Sequence, residues 1–323
     1  MKPEYLIGGA IVVTAVSALC AAVSNKLVRR EYIIKTNKLT HPLTVAHISD
    51  LHESLFGDGQ CELIASLGEV KPDLVLITGD MIEDDESDPF EAQVITTANA
   101  ARPLLMASSE LAPTFMVLGN HESNIPNTDL LCAELEDLGV RVLHRRNRED
   151  PDMFEEVTVH GERILICGAD DPYFDRREPI HRRKNVVERL REDADTTDDV
   201  RTGWRRRLER EYADIADDER MTLLLSHRPE EFELYKRLGF DAAFSGHAHG
   251  GQWRLPPFIN GVYAPHQGFF PKHAGGCYRY EGHTHIVSRG LSKKRMVRIF
   301  NRPELCVARF VPQSEGEFRR DDS

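Results

Sequence analysis

The sequence has few cysteines, few tryptophans and no linker-like tract. Its six cysteines are widely spaced and include no Cys-x-x-Cys pair, which argues against a dense disulfide framework. No stretch rich in proline, glycine and serine divides the chain, so we expect one large domain behind a terminal segment. The formal net charge of −12 argues against sequence-independent binding of nucleic acid, because such binding depends on lysines and arginines that neutralise phosphates.

Three common catalytic signatures are also missing. The sequence contains no Gly-x-x-x-x-Gly-Lys phosphate loop and no Gly-x-Ser-x-Gly nucleophile turn. His121 and Glu122 start a His-Glu-x-x-His zinc helix, but the second histidine does not follow. Metal-activated hydrolysis needs none of these patterns.

Five apolar, β-prone runs are each followed by a polar cluster. The runs lie at 43–49, 73–78, 114–118, 221–225 and 241–244. Ligands of open α/β sheets bind beyond the carboxyl ends of the strands, so we expect the clusters to converge on one site. In chain order the clusters are Asp50-Leu51-His52, Gly79-Asp80, Gly119-Asn120-His121, Ser226-His227 and Gly246-His247-Ala248-His249.

The residue types in the clusters predict a dinuclear metal site. Carboxylate, imidazole and amide oxygen together suit Mn, Fe, Zn or Co better than Ca. In an extended segment His247 and His249 would share one face, about 6.6 Å apart, so each could reach a different ion. A bridging carboxylate is needed between two such ions, and Asp80 is the candidate.

In this order the clusters resemble the signature of the calcineurin-like metallophosphoesterases. The resemblance covers residues 43–310 and implies that His121 is catalytic and not a ligand, donating a proton to the leaving alkoxide or a hydrogen bond to the phosphoryl oxygen. It also implies two metal-ligand sets, which share one carboxylate. One set is Asp50, His52, Asp80 and His249, and the other is Asp80, Asn120, His227 and His247.

The resemblance implies an α/β fold, a four-layer α-β-β-α sandwich of two mixed sheets. It further implies a phosphoester hydrolase with two divalent ions, Mn, Fe or Zn, and a metal-bridging hydroxide as nucleophile. The stretch 246–256, together with Ser288-Arg289-Gly290-Leu291, is similar to bacterial membrane-associated phosphodiesterases of the UDP-2,3-diacylglucosamine pyrophosphatase-like branch. This similarity favours a diester or pyrophosphate, lipid-linked or nucleotide-linked, as substrate. A protein or nucleotide phosphatase on the same scaffold and a non-catalytic metal-binding interaction module are the alternatives.

The N-terminal region is predicted to meet a membrane. An uninterrupted apolar run at 5–23 has about the length of a helix that crosses the roughly 30 Å hydrocarbon core. We therefore divide the chain into an anchor or cleaved signal segment at 1–25, a juxtamembrane connector at 26–42, a phosphoesterase domain at 43–312 and a flexible tail at 313–323. Positive charges after the apolar run favour a cytoplasmic domain, with an exported domain as the alternative.

Outside the clusters the predictions are structural. The charged segment 176–220 is predicted to be a solvated helical excursion, or alternatively a cap or a lipid-facing surface around Trp204. Glu83 and Glu122 are predicted to orient metal ligands. His283 and His285 are predicted to lie on a solvated strand face.

Overall fold

A computed structural model describes residues 22–83, 95, 99–145, 153–175, 198–293 and 297–313. The predicted transmembrane helix at 5–23 falls almost entirely outside these residues and stays a prediction. Most of the predicted tail, at 314–323, also falls outside them, as does the first half of the charged segment, at 176–197. Within the described ranges, no helix combines the length and the apolar character that crossing a membrane requires.

The first of two six-stranded mixed sheets carries three of the five clusters. Its strands are β1 (Val28–Thr36), β2 (Leu43–Ile48), β3 (Leu74–Ile77), β4 (Thr114–Met116), β5 (Val140–Val142) and β14 (Glu304–Pro312). The strand order is β1-β14-β2-β3-β4-β5. Strands β2 to β5 run parallel, and β14 is antiparallel to β2 and parallel to β1.

The second sheet carries the other two clusters. Its strands are β6 (Phe154–Val159), β7 (Glu162–Ala169), β8 (Met221–Ser226), β9 (Ala242–Ser245), β12 (Gly276–Tyr280) and β13 (His283–Val287). They lie in the order β12-β13-β9-β8-β7-β6, with a parallel centre from β13 to β7. A short separate hairpin joins β10 (Tyr263–Ala264) to β11 (Gly268–Phe269).

Three apolar cores define four layers. Residues such as Phe115 and Phe244 fill the space between the sheets. The outer face of the first sheet is covered by α1 (Cys61–Val70), α2 (Ala101–Leu111) and α3 (Thr128–Asp137). The outer face of the second sheet is covered by α4 (Asp198–Glu211) and α5 (Phe232–Leu238). The central strands are buried on both faces, which is why they read as continuous apolar runs, and the predicted pair of mixed sheets is confirmed.

The predicted connector at 26–42 is wrong for most of its length. Strand β1 lies within it and pairs with β14 over nine residues, from Val28 beside Glu304 to Thr36 beside Pro312. It is an edge strand with several exposed charged side chains, so its sequence lacks the apolar run that marks the central strands.

Two further structural predictions are corrected. His283 and His285 are buried, because β13 lies inside the sheet between β12 and β9; His283 Nδ1 is 2.7 Å from Phe240 O. Trp204 is fully buried in the core under α4 and donates its indole N–H to Asp170 O at 2.6 Å. It therefore offers no surface to a lipid.

Candidate metal centre

The five clusters converge at the carboxyl ends of β2, β3, β4, β8 and β9, as predicted. Backbone hydrogen bonds join the first two loops, since Asp50 N donates to Gly79 O at 3.0 Å and His52 N donates to Asp80 O at 3.1 Å. The loop after β9 crosses to the first sheet, where His247 N donates to the Asp50 carboxylate at 3.0 Å. One site is thus built from both sheets.

Two motif glycines permit these close approaches. A Cβ on Gly119 would lie 2.2 Å from Asp80 Oδ1, and a Cβ on Gly246 would lie 1.9 Å from Ser49 Oγ. No real Cβ tolerates such a distance. The loops can reach these positions only because both residues lack a side chain.

The backbone of the predicted ligands is strained. Left-handed backbone is uncommon for residues other than glycine, and it persists where the surrounding structure imposes it, often at functional sites. Five of the seven predicted ligands adopt it. Their φ values are 52° for Asp50, 44° for His52, 54° for Asp80, 63° for His247 and 46° for His249.

The first set of predicted ligands lies at the carboxyl end of β2. His249 Nε2 lies 3.5 Å from Asp50 Oδ1, and the rings of His52 and His249 stack with centroids 5.0 Å apart. His52 Nε2 points to Asp80 Oδ2 at 3.6 Å. The donor atoms of Asp50, His52 and His249 all lie within 4.8 Å of one another.

The second set lies on the other side of Asp80. His227 Nε2 is 3.1 Å from Asp80 Oδ2 and 3.1 Å from His247 Nδ1. His227 Nδ1 lies 2.6 Å from Thr78 O, which orients the ring. Asn120 Oδ1 is buried and has no hydrogen-bond partner among the described residues. The next residue, His121, donates its backbone N–H to Asp80 Oδ1 at 2.9 Å, and a buried amide oxygen without a partner on this loop fits a divalent cation.

Electrostatics in the site also fit a cation. Burial opposes ionisation of Asp80, but the neighbouring His227 and His121 outweigh it and hold the Asp80 pKa well below its usual range. Burial opposes the charged form of His227, whereas Asp80 raises its pKa to about 10. Burial raises the pKa of Asp50. Asp80 thus draws a positive charge to the His227 ring, and a divalent ion would compete with that proton for the same position.

His121 lies at the edge of both sets. Its ring is perpendicular to that of His52 at a centroid distance of 4.7 Å, and its Nδ1 is 3.7 Å from Glu83 Oε1. Its donor atoms also group with those of His52 and Asp80 within 4.8 Å. Distance alone does not distinguish a ligand from a proton donor at this position, so the catalytic role of His121 stays a prediction.

Comparison with known proteins decides the family. The sequence profile of the calcineurin-like phosphoesterases matches residues 43–251, well over half of the chain. The chain belongs to this family. Members use a dinuclear divalent metal site, and this chain is accordingly a metallophosphoesterase, a hydrolase of phosphoric esters.

Characterised relatives include a diesterase and a pyrophosphatase. Phosphodiesterase YaeI of Escherichia coli K12 is 26% identical over 278 residues, 84% of this chain and 83% of that protein. The uncharacterized metallophosphoesterase YkuE of Bacillus subtilis is 25% identical over 86% of this chain and 83% of its own length. UDP-2,3-diacylglucosamine pyrophosphatase LpxG of Chlamydia muridarum is 34% identical, but over only 92 residues, 27% of this chain and 28% of that protein.

Glu122 joins two ligand loops of the phosphoesterase. Its carboxylate is fully buried and accepts four backbone N–H bonds. Oε2 accepts from Gly119 at 2.8 Å and from Asp80 at 2.9 Å; Oε1 accepts from Met81 at 2.8 Å and from Ile82 at 3.2 Å. Burial raises the Glu122 pKa, and the backbone donors oppose that shift. Glu122 thus holds the backbone of the predicted ligand Asp80, which fits the orienting role predicted for it.

Glu83 acts on the ring of His52. Its Oε2 lies 2.9 Å from His52 Nδ1, so the opposite nitrogen, Nε2, is turned toward Asp80. Imidazole ligands are commonly oriented in this way by a carboxylate on the second nitrogen. The predicted orienting role fits this contact.

The sequence interpretation missed Arg228. This arginine is fully buried and binds Asp171 through two hydrogen bonds, from Nε at 2.5 Å and from Nη2 at 2.8 Å. Its Nη1 lies 3.0 Å from His247 Nε2 and 2.7 Å from His266 Nδ1, and Tyr173 stacks on the guanidinium at 4.5 Å. Arg228 follows His227 directly, but nothing in the local sequence indicates its partner, 57 residues away.

Proposed function

We propose that this metallophosphoesterase hydrolyses a phosphodiester or a pyrophosphate of a membrane-associated substrate. The observation that carries the proposal is the position of Asp80 Oδ2, which faces His52 Nε2 at 3.6 Å and His227 Nε2 at 3.1 Å. One carboxylate oxygen that faces an imidazole on each side is suited to bridge a pair of divalent ions, each held by one of the two rings.

The chain's residues divide into two ligand sets that share Asp80. One ion is assigned to Asp50, His52, Asp80 and His249, and the other to Asp80, Asn120, His227 and His247. Two bound ions would polarise the phosphoryl group and lower the pKa of a water molecule. The residues contribute by holding their donor atoms in place before substrate arrives, through Glu83 on His52 and Glu122 on the backbone at Asp80.

His121 is assigned the proton that the leaving oxygen needs. Glu83 Oε1 lies near its Nδ1, so Nε2 is the nitrogen assigned to proton transfer. A histidine beside the reacting phosphoryl group can also donate a hydrogen bond to its oxygen. Both roles need a residue that binds no metal itself.

The finer substrate class rests on the relatives. The similarity to YaeI over most of both chains supports a diester, and the partial similarity to LpxG supports a lipid-linked pyrophosphate. The apolar run at 5–23 supports a membrane anchor, and the positive charges that follow it support a cytoplasmic domain.

Metal content and ester preference test the proposal together. The full chain, purified in detergent, is analysed for bound metal and assayed with chromogenic phosphodiester and monoester before chelation, after chelation and after Mn²⁺ addition. We expect chelator-sensitive diester hydrolysis and close to two ions per chain. Preference for the monoester would favour a phosphatase instead, and bound metal without turnover of either ester would favour an interaction module.

A matched pair of variants assigns the site. Asp80→Asn removes the bridging charge and should deplete both ions and abolish turnover. Asp58→Asn makes the same chemical change at an exposed position outside the site and should leave both unchanged. Retention of both ions by Asp80→Asn would contradict the bridge.

A further inference from the structure

An exposed apolar surface lies next to the metal centre. Six large residues, which we call the apolar face, form it: Trp253, Leu255, Phe258, Phe269, Phe270 and Phe300. The exposed fraction of their side chains ranges from 43% for Trp253 to 83% for Phe258. Scattered exposed apolar residues are normal, but a contiguous group of this size marks an interaction site.

Hydrogen bonds around Trp253 hold the segments of the apolar face together. Trp253 O accepts from Val262 N at 2.9 Å, and the Trp253 indole donates to Val297 O at 2.9 Å. Arg254 N donates to Ile299 O at 2.9 Å, which ties in Phe300. The face is therefore one surface built from three segments.

The apolar face is also tied to the metal loop. Asn301 Nδ2 donates to His249 O at 2.7 Å and to Gln252 O at 3.0 Å. Trp253 follows His249 by four residues, and Gly251 O accepts from Val262 N at 2.9 Å. Whatever covers the face consequently lies beside the metal centre.

The apolar run of the N-terminus ends at this face. Phe300 N donates to Ala22 O at 2.6 Å, and Ala22 belongs to the apolar run at 5–23. A membrane that receives the run would also meet the apolar face. Within the described part of the chain, the end of the run is therefore hydrogen-bonded to the apolar face.

Charge around the apolar face complements anionic lipid. Residues 251–302 contain nine lysines and arginines and a single acidic residue, Glu281. Arg289 and Arg298 are buried, and Arg289 is paired with Glu304, so at most the other seven basic residues are available to lipid. Lys272 follows Phe270 by two residues and is exposed, as are Lys26 and Arg29 after the apolar run. Basic residues beside aromatic side chains are typical of surfaces that bind anionic membranes.

We propose that the apolar face docks on an anionic lipid bilayer. Phe258, Phe269 and Phe270 insert among the acyl chains, and Trp253 lies at the level of the headgroups. Docking brings the metal centre to the headgroup layer, where a lipid-linked phosphoester would lie. This last consequence rests on the proposed function, whereas docking itself requires no catalysis.

The two tryptophans of the chain provide a direct test. The full chain is reconstituted in phosphatidylglycerol and phosphatidylcholine vesicles, with and without bromine on the acyl chains, and its tryptophan fluorescence is measured. Trp204 is fully buried, so Trp253 should account for the bromine-dependent quenching. We expect Trp253→Phe to abolish that quenching and raised salt to weaken it, because the basic residues contribute through screened charge.

Matched surface variants test which residues insert. The triple variant Phe258→Ser, Phe269→Ser and Phe270→Ser should lower the quenching of Trp253 about tenfold, because three exposed phenylalanines supply most of the inserted area. Phe154→Ser removes a phenylalanine that is 41% exposed on β6, in the second sheet, and should change nothing.

Two results would overturn the docking proposal. In the first, acrylamide in the water quenches the Trp253 fluorescence of the wild-type protein in vesicles and bromine on the acyl chains does not, so the apolar face is in water. Alternatively, Trp253 could be shielded from both quenchers, which would assign the face to the N-terminal run or to a second copy of the chain. Hydrolysis of a soluble diester, measured in the same vesicles, distinguishes the docking proposal from the proposed function. Quenching of Trp253 by brominated lipid without hydrolysis would contradict only the proposed function.

Discussion

The substitution Glu122→Gln removes half of a buried set of hydrogen bonds that holds two ligand loops together. In the wild-type protein each carboxylate oxygen accepts two backbone N–H groups. A glutamine has nearly the same shape, but one of its oxygens is replaced by an NH₂ group that only donates. Whichever way the amide turns, two backbone N–H groups in the core of the site lose their acceptor.

The size of the effect follows from these lost bonds. A hydrogen bond to a charged group contributes about 1.5–3 kcal/mol, so two of them correspond to about 3–6 kcal/mol. Removing a buried charge relieves part of its desolvation, so we expect the free energy of unfolding to fall by about 3 kcal/mol. Because Asp80 and Gly119 belong to the affected loops, metal affinity should also fall about 10- to 100-fold.

Urea unfolding in chelator, followed by metal titration, measures both effects. Glu110→Gln makes the same change on the exposed surface of α2 and should alter neither quantity. The reasoning is refuted if Glu122→Gln and Glu110→Gln have the same free energy of unfolding and the same metal affinity within experimental error. Loss of metal affinity at unchanged stability would show that Glu122 orients the loops without stabilising the fold.

Three other perturbations have defined outcomes. His121→Ala should keep its metal content and lower diester turnover about 10²- to 10⁴-fold; loss of metal would make His121 a ligand. Arg228→Met leaves Asp171 buried and unpaired, so the free energy of unfolding should fall by about 3–5 kcal/mol, and the added substitution Asp171→Asn should restore much of it. Burial lowers the pKa of His47 to about 3. Below pH 6.5 the unfolded state therefore binds a proton that the native state does not bind, and the free energy of unfolding decreases as the pH is lowered. Urea unfolding in chelator between pH 6.5 and 5 should show that His47→Gln loses about 2 kcal/mol less than wild type; equal losses would contradict this origin.

The central strands and the clusters after them were predictable because each signal is local. Strands β2, β3 and β8 are buried on both faces, so their sequences are continuous apolar runs, and the polar residues that follow fall at the strand ends. Strand β1 has no such signal, since one edge of it meets solvent. Burial of His285 was also missed, because a short alternating segment looks the same on an interior strand and on an exposed one.

The residues around the ligands were harder to predict because their partners are distant in sequence. Asp171 reaches Arg228 across 57 residues, and Glu122 receives the backbone of Asp80 from 42 residues away. Neither contact produces a local pattern. The apolar face was missed for the same reason, since Phe258 and Phe300 belong to separate segments that meet only around Trp253.

By itself, then, the sequence determined which residue types are available for metal chemistry, and in which order they follow the strands. These features can be predicted locally, because the apolar residues of a buried strand and the polar residues at its end are adjacent in the sequence. Tertiary structure alone decided that Asp80 Oδ2 faces two imidazoles, that Arg228 lies behind His247, and that exposed aromatic residues gather beside the metal loop. These features depend on packing between two sheets, where distances of a few ångströms join residues that are far apart along the chain.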